Sequence, residues 1–233
     1  MRIETALSAV LQRLLPERCE LCLEAAQGPI CDDCRAGLPW NHVACPLCAR
    51  PQAAGGGHLC GACAATPPPY DSGWSAFRYA PPIDRAVHDL KYHARFRSGR
   101  WLGQEMAQAL RRRAEPLPQL LLPVPLHNAR LRGRGYNQAL ELARTLGREL
   151  RIEVAARGAR RLRPTEDQIG KSAVERRRNV KGAFTVDEAL VRGRHLALID
   201  DVMTTGSTLA ELARVCRKAG AARIEVWTAA RTP

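Results

Sequence analysis

Residues 196–208 read LALIDDVMTTGST. Leu196 to Ile199 form a continuous apolar run, the pattern of a strand buried on both faces. The run stops at two adjacent acids, Asp200 and Asp201. After Val202 and Met203 come Thr204, Thr205, Gly206, Ser207 and Thr208, leading into the helical pattern STLAELARVCRKAG at 207–220. A glycine there lets the chain turn tightly and approach a ligand closely. Backbone N–H groups at a helix N-terminus, with four hydroxyls beside them, make a cradle for a phosphate monoester. An ionised carboxylate only accepts hydrogen bonds, so the two acids suit vicinal hydroxyls of a sugar, or a divalent metal. The whole string reads as a site for a ribose 5-phosphate.

The surroundings place that string in an α/β fold. Apolar strands (WSAFRYA at 74–80, QLLLPVPL at 119–126, HLALIDDV at 195–202, IEVWTAA at 224–230) alternate with amphipathic helices (82–93, 98–113, 137–150, 207–220). This alternation predicts a mostly parallel sheet covered by helices on both faces. In such sheets ligands bind at the carboxyl ends of the strands, where Asp200 and Asp201 fall. Residues 162–184 break the pattern, with a polar run and four basic side chains between Arg176 and Lys181. A long polar segment inside an α/β domain reads as a functional lid.

The 233 residues carry a formal charge of +13, unevenly placed. Residues 1–70 hold five arginines and six acids, a net −1, so the remainder holds +14. A strongly basic C-terminal part points to phosphate-bearing ligands or polyanions. No apolar run is long enough to span a membrane. The first fifteen residues mix apolar and polar positions at helical spacing and lack a secretory h-region, so we expect an amphipathic helix and a cytoplasmic protein without membrane insertion.

Eight of nine cysteines form four C-x-x-C pairs: Cys19/Cys22, Cys31/Cys34, Cys45/Cys48 and Cys60/Cys63. A two-residue gap points both sulfurs at one centre, and two such knuckles complete a tetrahedral thiolate site for zinc. Two closed, structural zinc sites are expected, paired sequentially or interleaved as a cross-brace. Few large apolar residues separate the knuckles, so metal supplies most of that module's folding energy. Cys216 stands alone on a helix face and reads as core. The segment AATPPPYDSG, residues 64–73, reads as a linker.

These motifs resemble a known family. The 196–208 string resembles the phosphoribosyl pyrophosphate (PRPP) signature of type I phosphoribosyltransferases. LLLPVPLHNARLRGRGYNQALELA (120–143), RPTEDQIGKSAVERRRNVKGAF (163–184), LKYH and the four C-x-x-C pairs are similar to the ComF family, associated with competence. One departure is Lys171, where that family often has an apolar residue. The resemblance implies a type I phosphoribosyltransferase-like domain at 67–233 with a lid at 163–182, behind an N-terminal helix and double zinc ribbon at 1–66. It implies that Asp200 and Asp201 hold the ribose diol, and that Met203, Thr204, Thr205, Gly206, Ser207 and Thr208 bind the 5-phosphate. Pro125, Leu126, His127, Arg130, Arg134, Asn137 and Gln138 fall by position at the pyrophosphate, with Arg132 in the same basic run. Thr165, Gln168, Arg176 and Asn179 match lid positions. Mg²⁺ accompanies the pyrophosphate, and Asp200 or Asp201 is the only acid available as a base. Lys91 reads as solvated.

Three readings of function stay open. One is PRPP- and Mg²⁺-dependent transfer to a nitrogen acceptor. A second is a competence factor that handles single-stranded DNA, with Tyr92, Phe96, Trp101 and Tyr136 among arginines. The third is a zinc-ribbon adaptor for competence-machinery proteins, with a degenerate transferase site.

Overall fold

The computed structural model describes residues 17–53, 55–164 and 179–233. The helix expected at 1–15 and most of the lid segment lie outside these residues. The chain divides into two compact units, residues 1–39 and 40–233.

In the first unit, β1 (Glu17–Arg18) pairs antiparallel with β2 (Ala25–Ala26), and α1 (Asp32–Ala36) follows. Among the described residues of this unit, Ile30 and Leu38 are buried beside Cys19.

The second unit is built on five parallel strands in the order β3-β9-β8-β4-β5. They are β3 (Ser72–Arg78), β4 (Leu120–Pro123), β5 (Glu153–Val154), β8 (His195–Met203) and β9 (Arg223–Arg231). Leu120, Leu122, Leu196, Leu198, Ile224 and Val226 form one buried cluster with Leu209, Leu212 and Cys216 of α8 (Ser207–Lys218). Their neighbours Leu121, Ala197, Ile199 and Trp227 are buried too, so both faces of the sheet are covered. Helices α4 (Phe96–Leu110) and α6 (Gln138–Leu150) pack on each other, and α6 packs on β4 and β8. The remaining helices are α2 (Gly61–Ala65), α3 (Ile83–Tyr92), α5 (Asn128–Arg134) and α7 (Glu188–Val191). A separate antiparallel pair, β6 (Ala159–Arg161) with β7 (Phe184–Val186), brackets the segment 162–183.

The compact units divide after Pro39, so the second cysteine tetrad lies in one unit with the sheet. The reason is local. The Asn41 N–H donates to Ala76 O and the Gly73 N–H donates to Pro46 O, both at 2.9 Å, so the third knuckle is hydrogen-bonded onto β3. A Cβ on Gly73 would stand 2.1 Å from Leu47 O, so only glycine allows that approach. The linker reading fails for the same reason at its C-terminal end. Tyr70 is buried, and Asp71 accepts from the Ile224 N–H and from Arg217 Nη2, both at 2.7 Å.

Candidate functional site

Strand β8 runs on through both acids to Met203, pairing Asp200 with Thr228 and Met203 with Arg231 of β9. The chain then turns at Gly206, whose φ of +73° is the left-handed region where a side chain is strained. Ser207 opens α8. Thr205 Oγ1 and Ser207 Oγ lie 2.8 Å apart, which holds the turn. This end of the sheet borders a cavity of about 330 Å³. Asp200, Asp201 and every residue from Val202 to Leu209 line it, along with Leu126, Arg130, Arg134 and Gln138. The size falls within the usual range for small-molecule sites.

The two acids are held differently. Asp200 Oδ1 accepts from the Asp201 N–H at 2.9 Å, and Asp201 Oδ1 accepts from the Val202 N–H at 2.7 Å. Asp201 is buried, and Lys91 Nζ stands 3.1 Å from its Oδ2. Burial and the neighbouring Asp201 charge push the Asp200 carboxyl up to about 8, against the pull of Lys91. Burial depresses the Lys91 ammonium, but the two aspartates outweigh it and hold the pKa above its ordinary value. The two acids thus share one close ammonium, while Arg130, Arg134 and Arg161 also line the cavity.

Lys91 corrects the sequence reading, which left it solvated. The signal was present. Ile83 and Val87 mark the buried stripe of α3, and Lys91 follows at the same spacing of four. Tyr79, Arg161 and Thr232 also line the cavity and were not anticipated as site residues, and Tyr92, expected among the aromatics of the single-strand reading, lines it too. Arg161 lies in β6 with its guanidinium 5.4 Å from the Phe184 ring.

The other expected residues take varied places. Arg134 Nη1 donates to Gln138 Oε1 at 2.7 Å, and its guanidinium lies over the Tyr92 ring at 5.5 Å. The basic run is helical, as α5, and His127 caps it by accepting from the Ala129 N–H at 3.3 Å. His127 also borders a second cavity with Arg130, Arg161 and Pro164. Both polar atoms of Asn137 are engaged: Oδ1 accepts from the Ala139 N–H and Nδ2 donates to Val124 O, at 3.0 and 2.9 Å. Asn137 is thus a helix cap tied to the end of β4, outside the lining. Pro125 is buried and Arg132 exposed, and neither lines the cavity; nor does Asn179. Thr165, Gln168, Lys171 and Arg176 lie outside the described residues. Cys216 is fully buried, and so is Trp101, which removes Trp101 from any surface role.

The cysteines gather sequentially. Cys19, Cys22, Cys31 and Cys34 form one tetrad, and Cys45, Cys48, Cys60 and Cys63 the other, which excludes the cross-brace. Sulfur separations of 3.7 Å (Cys22 to Cys31) and 3.6 Å (Cys48 to Cys60) match the edge of about 3.8 Å that four Zn–S bonds of about 2.3 Å impose. Burial would raise the Cys19 and Cys45 thiols, but backbone N–H groups of neighbouring residues outweigh it and hold both at about 6. The donor sets fit two closed zinc sites.

Comparison with known proteins agrees with this architecture. Residues 10–64 match the double zinc ribbon domain, and residues 131–233 the phosphoribosyl transferase domain. The DNA utilization protein YhgH of Escherichia coli O157:H7 is 37% identical over 226 residues, covering 94% of this chain and 98% of that protein. YhgH of Salmonella typhi is also 37% identical over 226 residues, with the same coverage of 94% and 98%. Competence protein F of Haemophilus influenzae is 36% identical over 182 residues, covering 74% of this chain and 78% of that protein. No helix among the described residues is long and apolar enough to cross a membrane. With a zinc-ribbon module ahead of a parallel sheet and this identity across nearly its whole length, the chain belongs to the ComF/YhgH family.

Proposed function

We propose that the cavity at the end of β8 binds PRPP and that the protein transfers its phosphoribosyl group to a nitrogen acceptor. The observation that carries this reading is the floor of the cavity, where two acids, one pushed up to about 8, adjoin a hydroxyl-rich turn at a helix N-terminus. Asp200 and Asp201 accept hydrogen bonds from the ribose diol, and the turn from Thr204 to Thr208 donates to the 5-phosphate. Arg130 and Arg134 face the pyrophosphate and stabilise the charge that gathers there as the C1–O bond breaks. The acceptor nitrogen bonds to C1, pyrophosphate leaves with the electron pair, and the surplus nitrogen proton passes to a base. Asp200, whose raised pKa suits proton uptake near neutrality, is the nearest such group.

Mg²⁺ fits this site. Asp201 Oδ2 is buried and, among the described residues, has the Lys91 ammonium at 3.1 Å as its counter-charge and no further partner, and the hydroxyls and carboxylates around it are hard oxygen donors. Asp200 and Asp201 would hold the ion through its water shell, and bound Mg²⁺ would neutralise pyrophosphate charge. Thiolate tetrads of this kind persist in a reducing compartment, in keeping with a cytoplasmic role.

Calorimetric titration of PRPP with Mg²⁺ into zinc-loaded protein tests the reading, beside the double variant Asp200→Asn, Asp201→Asn. Binding by the wild type that vanishes in the variant supports it. Equal affinity for both proteins rejects the pocket.

One observation favours a nucleic-acid role in parallel. Tyr92 and Phe96 are 59% and 49% exposed, Phe96 meets Tyr136 edge-on at 4.9 Å, and Arg134 covers Tyr92 beside the cavity. Exposed aromatics among arginines are what single strands stack on. The relatives' names, DNA utilization protein and Competence protein F, point the same way. Affinity for an oligothymidylate should fall steeply between 50 and 200 mM salt, by about tenfold or more; a flat response removes this role.

A further inference from the structure

The second cysteine tetrad lies within the same compact unit as the cavity, and one side chain joins the two. Arg231 ends β9 and is 2% exposed. Its Nε donates to Cys48 O at 2.9 Å, and its Nη1 donates to Met203 O at 3.1 Å and to Thr232 O at 2.5 Å. Cys48 is a tetrad ligand. Met203 is the last residue of β8 before the phosphate turn. One planar guanidinium therefore spans the zinc knuckle and the root of that turn. Thr232 reinforces the same point, its N–H donating to Met203 O at 3.2 Å.

Packing repeats the connection independently. Ala49, immediately after Cys48, is buried in one cluster with Tyr70, Met203 and Leu209. The Tyr70 hydroxyl is 3.9 Å from Met203 Sδ, and a Cβ on Gly206 would be 3.3 Å from that sulfur. Met203 is thus pinned between the knuckle and the turn. The knuckle is in turn fixed to β3 through Gly73 and Pro46.

We infer that zinc in the second tetrad, acting through Arg231, positions the Thr204–Thr208 turn for phosphate. The inference rests on the phosphoribosyl reading of the cavity. Four Zn–S bonds hold the Cys48 carbonyl where Arg231 needs it. With the metal gone, a buried guanidinium loses a fixed acceptor and the Met203 carbonyl loses one of its two fixed donors, so the turn samples wider geometries. A phosphate cradle works only while its N–H groups converge. Binding linkage is reciprocal, so a phosphate in the cradle must also tighten zinc in the second tetrad by the same factor. Arg231 is a positioning residue: it touches the knuckle and the turn, and no ligand contact is assigned to it.

The experiment uses full-length protein with two zinc per chain and ribose 5-phosphate as the probe. Zinc release to a chromogenic chelator is followed with and without the probe, and probe affinity is measured by calorimetry for wild type, Arg231→Lys and Arg231→Met. In the wild type the probe should slow the release of one of the two zinc ions by about fivefold or more, the usual floor of a coupling between sites. Arg231→Met should bind the probe about tenfold more weakly and lose the protection while still holding two zinc. Arg231→Lys, which keeps the charge without the fork, should fall between. A purely structural arginine would lower thermal stability and leave the ratio of release rates intact, and that result overturns the inference. So does wild-type protein that binds the probe but releases both zinc ions at unchanged rates, a test that needs no variant to fold. If wild-type protein fails to bind the probe at all, the pocket reading and the coupling fall together.

Discussion

Strands β8 and β9 carry carboxylates at opposite ends of the sheet, Asp200 half-buried and Glu225 buried, and the two are treated in opposite ways. Glu225, near the start of β9, is 1% exposed. Its oxygens accept from Arg113 Nη1 and Nη2 at 2.7 and 3.1 Å and from Trp227 Nε1 at 2.9 Å, with His195 Nε2 at 3.0 Å and Arg223 Nη2 at 3.2 Å. Burial would raise its carboxyl, but the Arg113 contacts and their allies outweigh it and bring the pKa below the ordinary value. Asp200, at the far end of β8, goes up to about 8 because burial and Asp201 outweigh Lys91. A carboxylate surrounded by donors is part of the frame. A carboxylate left short of donors keeps acceptor capacity to spare, and carrying it lowers stability.

The largest effect that would break this contrast lies at Glu225. Glu225→Ala strands the Arg113 guanidinium in a half-buried place and removes every bond just described. Losing one side of a buried ion pair costs about 3 to 5 kcal/mol, which is on the order of 10 °C in the melting temperature of a domain this size. Calorimetric melting should show that drop while ribose 5-phosphate affinity, measured at a temperature where the variant is folded, stays as in the wild type. A fall in affinity with little change in melting would make Glu225 part of the site and dissolve the comparison.

The converse substitution should separate stability from binding. Asn at position 200 can still accept from the Asp201 N–H, yet it carries no charge to repel Asp201. Asp200→Asn should raise stability by about 1 to 2 kcal/mol, the scale on which functional sites trade stability for use. It should weaken ribose 5-phosphate binding by about 10- to 100-fold, the cost of losing charge-assisted hydrogen bonds to a diol. Urea denaturation and calorimetry report the two quantities separately. Loss of both together would mean that Asp200 is structural.

Acid and base should act on the two ends in opposite directions. Glu225 has a lowered folded pKa, so its contribution is present above its ordinary value of 4.5 and is lost as pH falls through the folded value. Asp200 has a raised one. Its contribution is full below 3.8 and is lost as pH rises through about 8. Each proton tilts stability by at most about 1.4 kcal/mol per pH unit. Asp200 should therefore make urea midpoints decline as pH rises from about 4 toward about 8 and level off above it, with that slope flatter in Asp200→Asn and unaltered in Glu225→Gln. A slope insensitive to Asp200→Asn would show that the carboxyl titrates in its ordinary range.

The two ends were also unequally legible in the sequence. The strand, turn and helix at 196–208 could be placed from sequence because the signals are contiguous: strand, acids, hydroxyls and glycine follow one another within thirteen residues. The Glu225 cluster draws on Arg113, His195, Arg223 and Trp227, whose only bond is the fold itself. Lys91 and Arg231 escaped for the same reason, since a cation's role here depends on which carboxylate or carbonyl faces it. The zinc ligands were readable in pairs, but their pairing into tetrads was not, because either scheme satisfies the spacing. The proline-rich composition of 64–73 reads as a linker. What composition does not report is backbone contact, and it is the knuckle's hydrogen bonds to β3 that hold it in one compact unit with the sheet.

The smallest effect concerns the cation that faces Asp201. Lys91 Nζ sits 3.1 Å from Asp201 Oδ2 and restrains the rise of the Asp200 carboxyl. Diol hydroxyls favour the ionised acids. Affinity for ribose 5-phosphate should therefore increase as pH rises toward about 8 and then level off, with protons released on binding below that point. In Lys91→Met the pair of acids loses its restraining charge, so the levelling should move to higher pH. At neutral pH the affinity should fall by less than about tenfold, corresponding to a shift of under one pKa unit. Calorimetry in buffers of different ionisation enthalpy measures both the affinity and the proton release. If Lys91→Met leaves the pH profile where it was, then Lys91 neutralises Asp201 alone and the two acids titrate independently. If the variant instead binds more tightly at every pH, Lys91 competes with the diol for Asp201, and the end of the sheet that looks short of donors is closed by its own lysine until a ligand displaces it.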